Sequence, residues 1–151
     1  MQNFIVEPLA KDQIAAAFPL IREALPRLDL KSWTRLANRL TDPGHARHRG
    51  VLAARRAGRP HASGLLYYRK EQDLNSGAIL VANHFVALDP LDSRPVLAAL
   101  IAALEKLAFE LDCAAIRSVV HTRAPEVAIE LVSAGHQLEG ATLYKSLSVR
   151  E

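Results

Sequence analysis

One unit in this chain leaves it few folds to adopt. Residues 78–88, AILVANHFVAL, form an apolar run long enough for a strand. Residues 94–112 then place Leu97, Leu100, Ile101, Leu104, Ala108 and Leu111 three and four apart, the stripe of an amphipathic helix. Residues 115–120, AIRSVV, are apolar again, which suits a strand in a central position. A helix between two strands of one sheet makes them parallel neighbours joined by a right-handed crossover. Helical bundles and all-β sandwiches are thereby excluded.

The remaining segments fit around that unit. Residues 4–6 read as a short first strand. Residues 11–25 read as a helix with Ile14, Phe18, Ile21 and Leu25 on one face, and Pro19 inside it predicts a kink or a division. A second helix starts at Asp29 or Leu30, carries Trp33, Leu36, Ala37 and Leu40, and stops at TDPGH. Residues 50–57 and 62–69 read as strands joined by the turn AGRPH. The polar loop KEQDLNSG separates them from the strand at 78, so three strands form an antiparallel meander. Residues 125–134 predict a short helix capped by Gly135, and residues 141–147 a closing strand. The expected class is α/β, an α+β mixed sheet with helices on both faces, in one domain spanning residues 1–151.

Half of the 151 residues are hydrophobic, which excludes a disordered chain and fills one core. The single cysteine, Cys113, excludes an internal disulfide framework, fits a reducing compartment and reads as a buried thiol. MQNFIVEPLAKDQ lacks the basic-then-apolar pattern of a signal peptide, and no apolar stretch reaches the roughly 20 residues that span a bilayer. The expected location is cytoplasmic, with no membrane partner. The net charge of +3 is unevenly placed: residues 43–70 hold no Asp or Glu but include Arg47, Arg49, Arg55, Arg56, Arg59, Arg69 and Lys70. That stretch reads either as a phosphate-attracting face or as exposed edge strands kept soluble by arginine. Interleaved aromatics are missing until Tyr67 and Tyr68, which argues against a nucleic-acid partner.

The element order resembles the GNAT superfamily of N-acetyltransferases over nearly the whole chain. So does the cadence of HFVALDPLDSRPVLAALIAALEKLAFELDCAAIRSVVH followed by PEVAIELVSAGHQLEGATLYKSL. The resemblance implies acetyl-CoA as cofactor and a small-molecule or peptide amine as acceptor. It places Val86, Ala87 and Leu88 beside the pantetheine arm, where the family's strand lends backbone groups. It places Ser93, Arg94, Val96 and Leu97 at the pyrophosphate. The sequence departs from the family in two places. The family's loop glycines, which admit close approach of backbone amides to phosphate, fall near Arg94, Val96 and Ala98, and only Ala98 is a permitted residue. Pro95 also removes an N–H donor, and Asp89 and Asp92 bring negative charge. The junction therefore reads either as a helix start capped by Asp92 or Ser93, or as a modified CoA loop. The family's leaving-group tyrosine falls at or near Leu131, and His136 stands where an aromatic residue is usual. Tyr144 is the nearest substitute tyrosine.

An amine must be neutral to attack, so a general base is needed. His84 and His121 lie near the ends of the two strands flanking the crossover helix. If those strands part at their ends, both imidazoles face one cleft, with Asn83 beside them; otherwise they are ordinary polar residues at strand ends. His45, His48 and His61 lack zinc-ligand spacing, and no metal is expected. Three readings stay open: an acyl-CoA-dependent N-acetyltransferase, a non-catalytic binding module on the same fold, and, weakest, a nucleic-acid binder. The small residues Ala98, Ala99, Ala102 and Ala103 permit close packing of their helix onto the sheet or onto a second subunit, a possible homodimer.

Overall fold

The computed structural model describes residues 3–88, 92–121 and 123–147. The chain runs β1 (Phe4–Pro8), a 3-10 turn (Lys11–Gln13), α1 (Ile14–Ala24), α2 (Leu30–Leu40), a second 3-10 turn (Pro43–His45), β2 (Arg49–Arg56), β3 (Ala62–Asp73) and β4 (Gly77–Ala87). It continues with α3 (Arg94–Glu110), β5 (Ala115–Ser118) and α4 (Pro125–Ser133). The sheet order follows the chain, β1-β2-β3-β4-β5. Every neighbouring pair is antiparallel except β4 and β5, which run parallel from Ile79 opposite Ala115 to Ala82 opposite Ser118. The crossover unit is therefore present as expected, with α3 as its helix.

Each face of the sheet has its own core. On one, Leu52, Ala54, Leu66 and Leu80 meet Val96, Leu100 and Leu104 of α3 and Val127 and Leu131 of α4. On the other, Val51, Leu65 and Val86 meet Leu9, Ile14 and Leu20 together with Trp33 and Ala37 of α2. Strands covered on both sides read as continuous apolar runs, which is why β4 shows no alternation in sequence. Asp29 starts α2 by accepting a hydrogen bond from the Ser32 amide at 2.7 Å. Gly64 lets α3 approach β3 closely, because a Cβ at that position would lie 2.5 Å from Val96 Cγ1. Of the small residues of α3, Ala103 is partly buried against the core on the sheet, and Ala98 and Ala102 are exposed.

Several expectations are corrected. Pro19 does not divide α1, which continues through it after the 3-10 turn. The polar stretch KEQDLNSG is mostly strand: β3 runs to Asp73, whose carboxylate accepts from the amides of Asn75 and Ser76 and closes a tight turn. Its polar residues occupy the half-exposed end of a long strand. β2 and β3 are interior strands, so the arginine-rich stretch is not a pair of exposed edges. β5 holds four residues and forms an edge, not a central strand. Residues 141–147, expected as a closing strand, are exposed and form no strand among the described residues.

Candidate active site

The last rung of the parallel pair sets Ala82 against Ser118, and the Val119 amide donates to the Ala82 carbonyl at 2.9 Å. Beyond it β4 continues along β3 while its pairing with β5 ends, which puts the expected cleft here, between the two chains. A bulge in β4 lies at this point. The β3–β4 register passes from Tyr67 opposite Asn83 to Leu65 opposite Val86, so two residues of β4, His84 and Phe85, oppose Leu66. His84 takes φ 53°, a left-handed conformation uncommon for a side chain other than glycine. Bulges bend a strand and re-aim its side chains.

The bulge also shifts which backbone groups face the cleft. The Leu88 amide donates to Ser63 in β3 at 2.8 Å, and Val86 is in register with Leu65. By the alternation of an antiparallel ladder, Val86 and Leu88 direct their groups to β3, and Phe85 and Ala87 direct theirs to the cleft. Of the three residues expected along a pantetheine arm, Ala87 is so oriented and Val86 and Leu88 are not. The backbone groups of Phe85 also face the cleft, an orientation that no sequence signal short of the bulge itself could reveal.

His84 and His121 meet across the cleft. Their rings stack with centroids 5.4 Å apart and planes 18° apart. His84 is half-buried and His121 exposed, and neither ring makes a hydrogen bond among the described residues. Burial first, and the neighbouring His121 charge second, hold the His84 imidazolium below its ordinary value of 6.5. The unfolded chain then binds more protons than the folded one just below that value. His84 accordingly favours the fold above pH 6.5 and loses that contribution as pH falls through its lowered value. Thermal melts between pH 7.5 and pH 5 are expected to show falling stability, and His84→Gln should flatten the slope in this window. An unchanged slope in the variant would assign the loss to other groups. Asn83, one rung before the bulge, makes no side-chain hydrogen bond to either ring among the described residues. Ser118, on the last rung, was not singled out from sequence; its Oγ is buried without a partner. A lone hydroxyl in the apolar run AIRSVV was the available signal.

The start of α3 is a helix start by its contacts. Asp92 Oδ1 accepts from the Arg94 amide at 3.0 Å, and its carboxylate grips the Arg94 guanidinium at 2.9–3.2 Å. These hydrogen bonds hold the Asp92 carboxyl below the usual carboxylate range. Ser93 occupies the N-cap position without a side-chain capping bond, and Pro95 sits in the first turn. Val96 and Leu97 are 0 % and 1 % exposed. Asp89 and Pro90 lie outside the described residues. Two features that a diphosphate would use, the Arg94 amide and guanidinium, are thus already engaged by a carboxylate. The described residues fit a polar chain along the cleft, where Ser118 Oγ lacks a partner, and do not fit a diphosphate at α3.

The other candidates fall elsewhere. Leu131 is buried in the α3–α4 core, and His136 Nε2 lies 2.9 Å from Glu105 Oε2. Tyr144 is 89 % exposed and touches neither histidine, so the structure does not bring it to the pair. Cys113 is half-buried, and burial pushes its thiol up. The basic stretch is largely answered by groups outside it: Arg55 pairs with Glu7, Arg69 with Glu71, Arg56 lies over the Phe4 ring, and Lys70 Nζ donates to the Leu111 carbonyl. A cavity of about 380 Å³ between the ends of β1 and α2 and the start of β2 is lined by Lys11, Asp42, Arg49 and Tyr68 and includes neither His84 nor His121. Among the described residues no three His, Cys, Asp or Glu gather to hold a metal, and no helix is long and apolar enough to cross a membrane.

The sequence matches no family model, and no curated protein matches it. Solved structures do match. An aminoglycoside N-acetyltransferase in complex with CoA superposes with a TM-score of 0.80 at 14% identity, over 98% of this chain and 97% of that one. Glucosamine-6-phosphate N-acetyltransferase from Arabidopsis thaliana gives 0.77 at 9% identity, over 97% and 99%. A transcriptional regulator from Bacillus halodurans C-125 gives 0.81 at 11% identity, over 96% and 100%. At these identities the likeness establishes the fold, that of the GNAT acetyltransferases, and leaves the activity to the residues of the cleft.

Proposed function

We propose that this chain, with the fold of the GNAT N-acetyltransferases, catalyses acyl transfer to an amine in the cleft between β4 and β5, with His84 as general base. The observation that carries this reading is the stacked His84–His121 pair at the bulge where the strands part. An acyl thioester bound there would supply the activated carbonyl: as the amine nitrogen bonds to it the carbon–sulfur bond breaks, and the sulfur leaves as a thiol with the proton that the nitrogen sheds on becoming an amide. The contribution of the chain itself is proton removal: burial keeps the His84 imidazole neutral near pH 7, so a ring nitrogen can take a proton from the acceptor's ammonium. The neighbouring His121 adds to the lowering at His84, since protonating both rings would set two cations 5.4 Å apart. Asn83 and Tyr144 have no place in this step. The acceptor is a small molecule or a peptide amine, and the protein acts in the cytoplasm.

The start of α3 makes the donor's diphosphate a poor handle. Acetyl-CoA and acetyl-pantetheine, which lacks the diphosphate, are therefore expected to stabilise the protein at concentrations within about tenfold of each other, a gap under ~1.4 kcal/mol. Asp92→Asn should shift the balance toward acetyl-CoA by freeing Arg94. Thermal shift titrations with the two thioesters, followed by thioester consumption across an amine panel, test the reading. Binding of acetyl-CoA a thousandfold tighter than acetyl-pantetheine would overturn the account of α3. Neither binding nor turnover would favour the second reading, a binding module without catalysis, to which the core position of Leu131 and the engaged Arg94 also point.

A further inference from the structure

The acyl-transfer step makes no use of the cavity between the ends of β1 and α2 and the start of β2. Its volume of about 380 Å³ lies in the lower part of the ~300–1,000 Å³ range of small-ligand sites. The fold sets it apart from the histidine pair. It lies at the C-terminal end of α2, on the face of the sheet that α1 and α2 cover, and neither His84 nor His121 lines it.

Its walls are fixed by the fold. The Leu9 amide donates to the Val51 carbonyl at 2.8 Å and joins the end of β1 to β2. Tyr68 is 3 % exposed, and its hydroxyl donates to the Ala46 carbonyl at 2.8 Å, which holds the connection between α2 and β2. Gly50 gives that ring its room, since a Cβ there would lie 2.7 Å from the Tyr68 hydroxyl oxygen. Leu9, Leu40 and Val51 are buried and give the cavity an apolar side. Walls held in this way lose little freedom when a ligand binds.

The charged residues of the lining are unevenly matched. Arg49 is half-buried, and among the described residues it forms no ion pair. Its Nε is buried without a hydrogen-bond partner. A guanidinium partly withdrawn from water with no counter-charge is costly, and an anion relieves that cost. Lys11 adds a second cation, with its Nζ donating to the Asn38 carbonyl at 3.2 Å. The acidic residue of the lining, Asp42, is engaged within its own turn. Its Oδ1 accepts from the Gly44 amide at 3.0 Å, and its Oδ2 lies 3.8 Å from His45 Nδ1. Among the described residues, Lys11 and Arg49 against Asp42 leave one net positive charge, the complement of a monoanion rather than a dianion.

We propose that this cavity binds a small organic carboxylate, with its carboxylate group on the Arg49 guanidinium beside Lys11 and its apolar body against Leu9, Leu40 and Val51. A planar carboxylate matches the fork of a guanidinium, and a compact apolar body takes the place of water along the wall. This inference is independent of the acyl-transfer reading.

Titration of phenylacetate, its neutral analogue phenylacetamide and inorganic phosphate into the isotope-labelled full chain, followed by amide chemical shifts, tests it. Phenylacetate is expected to shift the amides of Leu9, Gly50 and Val51 saturably, with phenylacetamide and phosphate weaker by about tenfold or more. Arg49→Gln should weaken phenylacetate by about tenfold or more, and Lys11→Ala by a smaller factor. If Arg49→Gln fails to fold, Ala46→Trp carries the test: it fills the cavity from an exposed residue of the wall and should abolish the shifts. Absence of saturable shifts with phenylacetate, or equal affinity for phenylacetamide or phosphate, would overturn the proposal. So would shifts centred on His84 and His121, or undiminished binding in the folded variants.

Discussion

Trp33→Ala will lower the stability of this fold by about 3–5 kcal/mol, among the largest losses a single truncation can produce. Trp33 is 2 % exposed at the centre of the core that α1 and α2 build on the sheet. Its indole N–H donates to the Ile14 carbonyl at 2.7 Å, so the ring both fills the core and ties α2 to the start of α1. Little around it can collapse into the space, because its neighbours belong to a sheet and to two short helices. For a domain of this length the melting temperature should fall by roughly 6–20 °C. Trp33→Phe keeps most of the apolar volume and gives up the hydrogen bond, so its loss should be clearly smaller. Thermal or urea unfolding of the two variants measures this. A drop below about 1 kcal/mol for the alanine would mean that α1 and α2 are not held to the sheet as described.

The second large effect concerns activity and has the opposite signature. His84→Gly should reduce acyl transfer by about 10²–10⁴-fold, the usual contribution of a positioned general base. The same change should leave the melting temperature unchanged or raise it. A side chain at φ 53° costs about 1 kcal/mol or more, and glycine relieves that cost. The lost packing of a half-buried ring works against the relief, so the net change in stability is small. A residue kept only for structure would lose stability on replacement. One kept for chemistry in a strained bulge loses rate instead.

Much of this arrangement was legible in the sequence, and the exceptions have physical causes. The crossover unit was readable because its helix stripe and its two apolar runs have different periods. The meeting of His84 with His121 was one of two readings of histidines near strand ends, and sequence could not choose between them because the choice depends on where the strands part. The bulge was not readable: one extra residue in β4 leaves no compositional mark, yet it decides that Phe85 and Ala87, not Val86 and Leu88, face the cleft. The extent of β3 was hidden because polar residues on a half-exposed strand resemble a loop. The closing strand expected at residues 141–147 is not formed among the described residues, where that segment is exposed. The acidic residues near the junction were legible as charge, while the pairing of Asp92 with Arg94 needed coordinates.

The central claim, that His84 is the proton acceptor in the β4–β5 cleft, is tested most directly by kcat/KM for acyl transfer as a function of pH in wild type and His84→Gln. A base must be unprotonated to act, so the wild-type value should climb with pH through an apparent pKa below 6.5 and then level. The variant should lack that limb and run about 10²–10⁴-fold lower. Wild-type and variant profiles that coincide would contradict the assignment of His84.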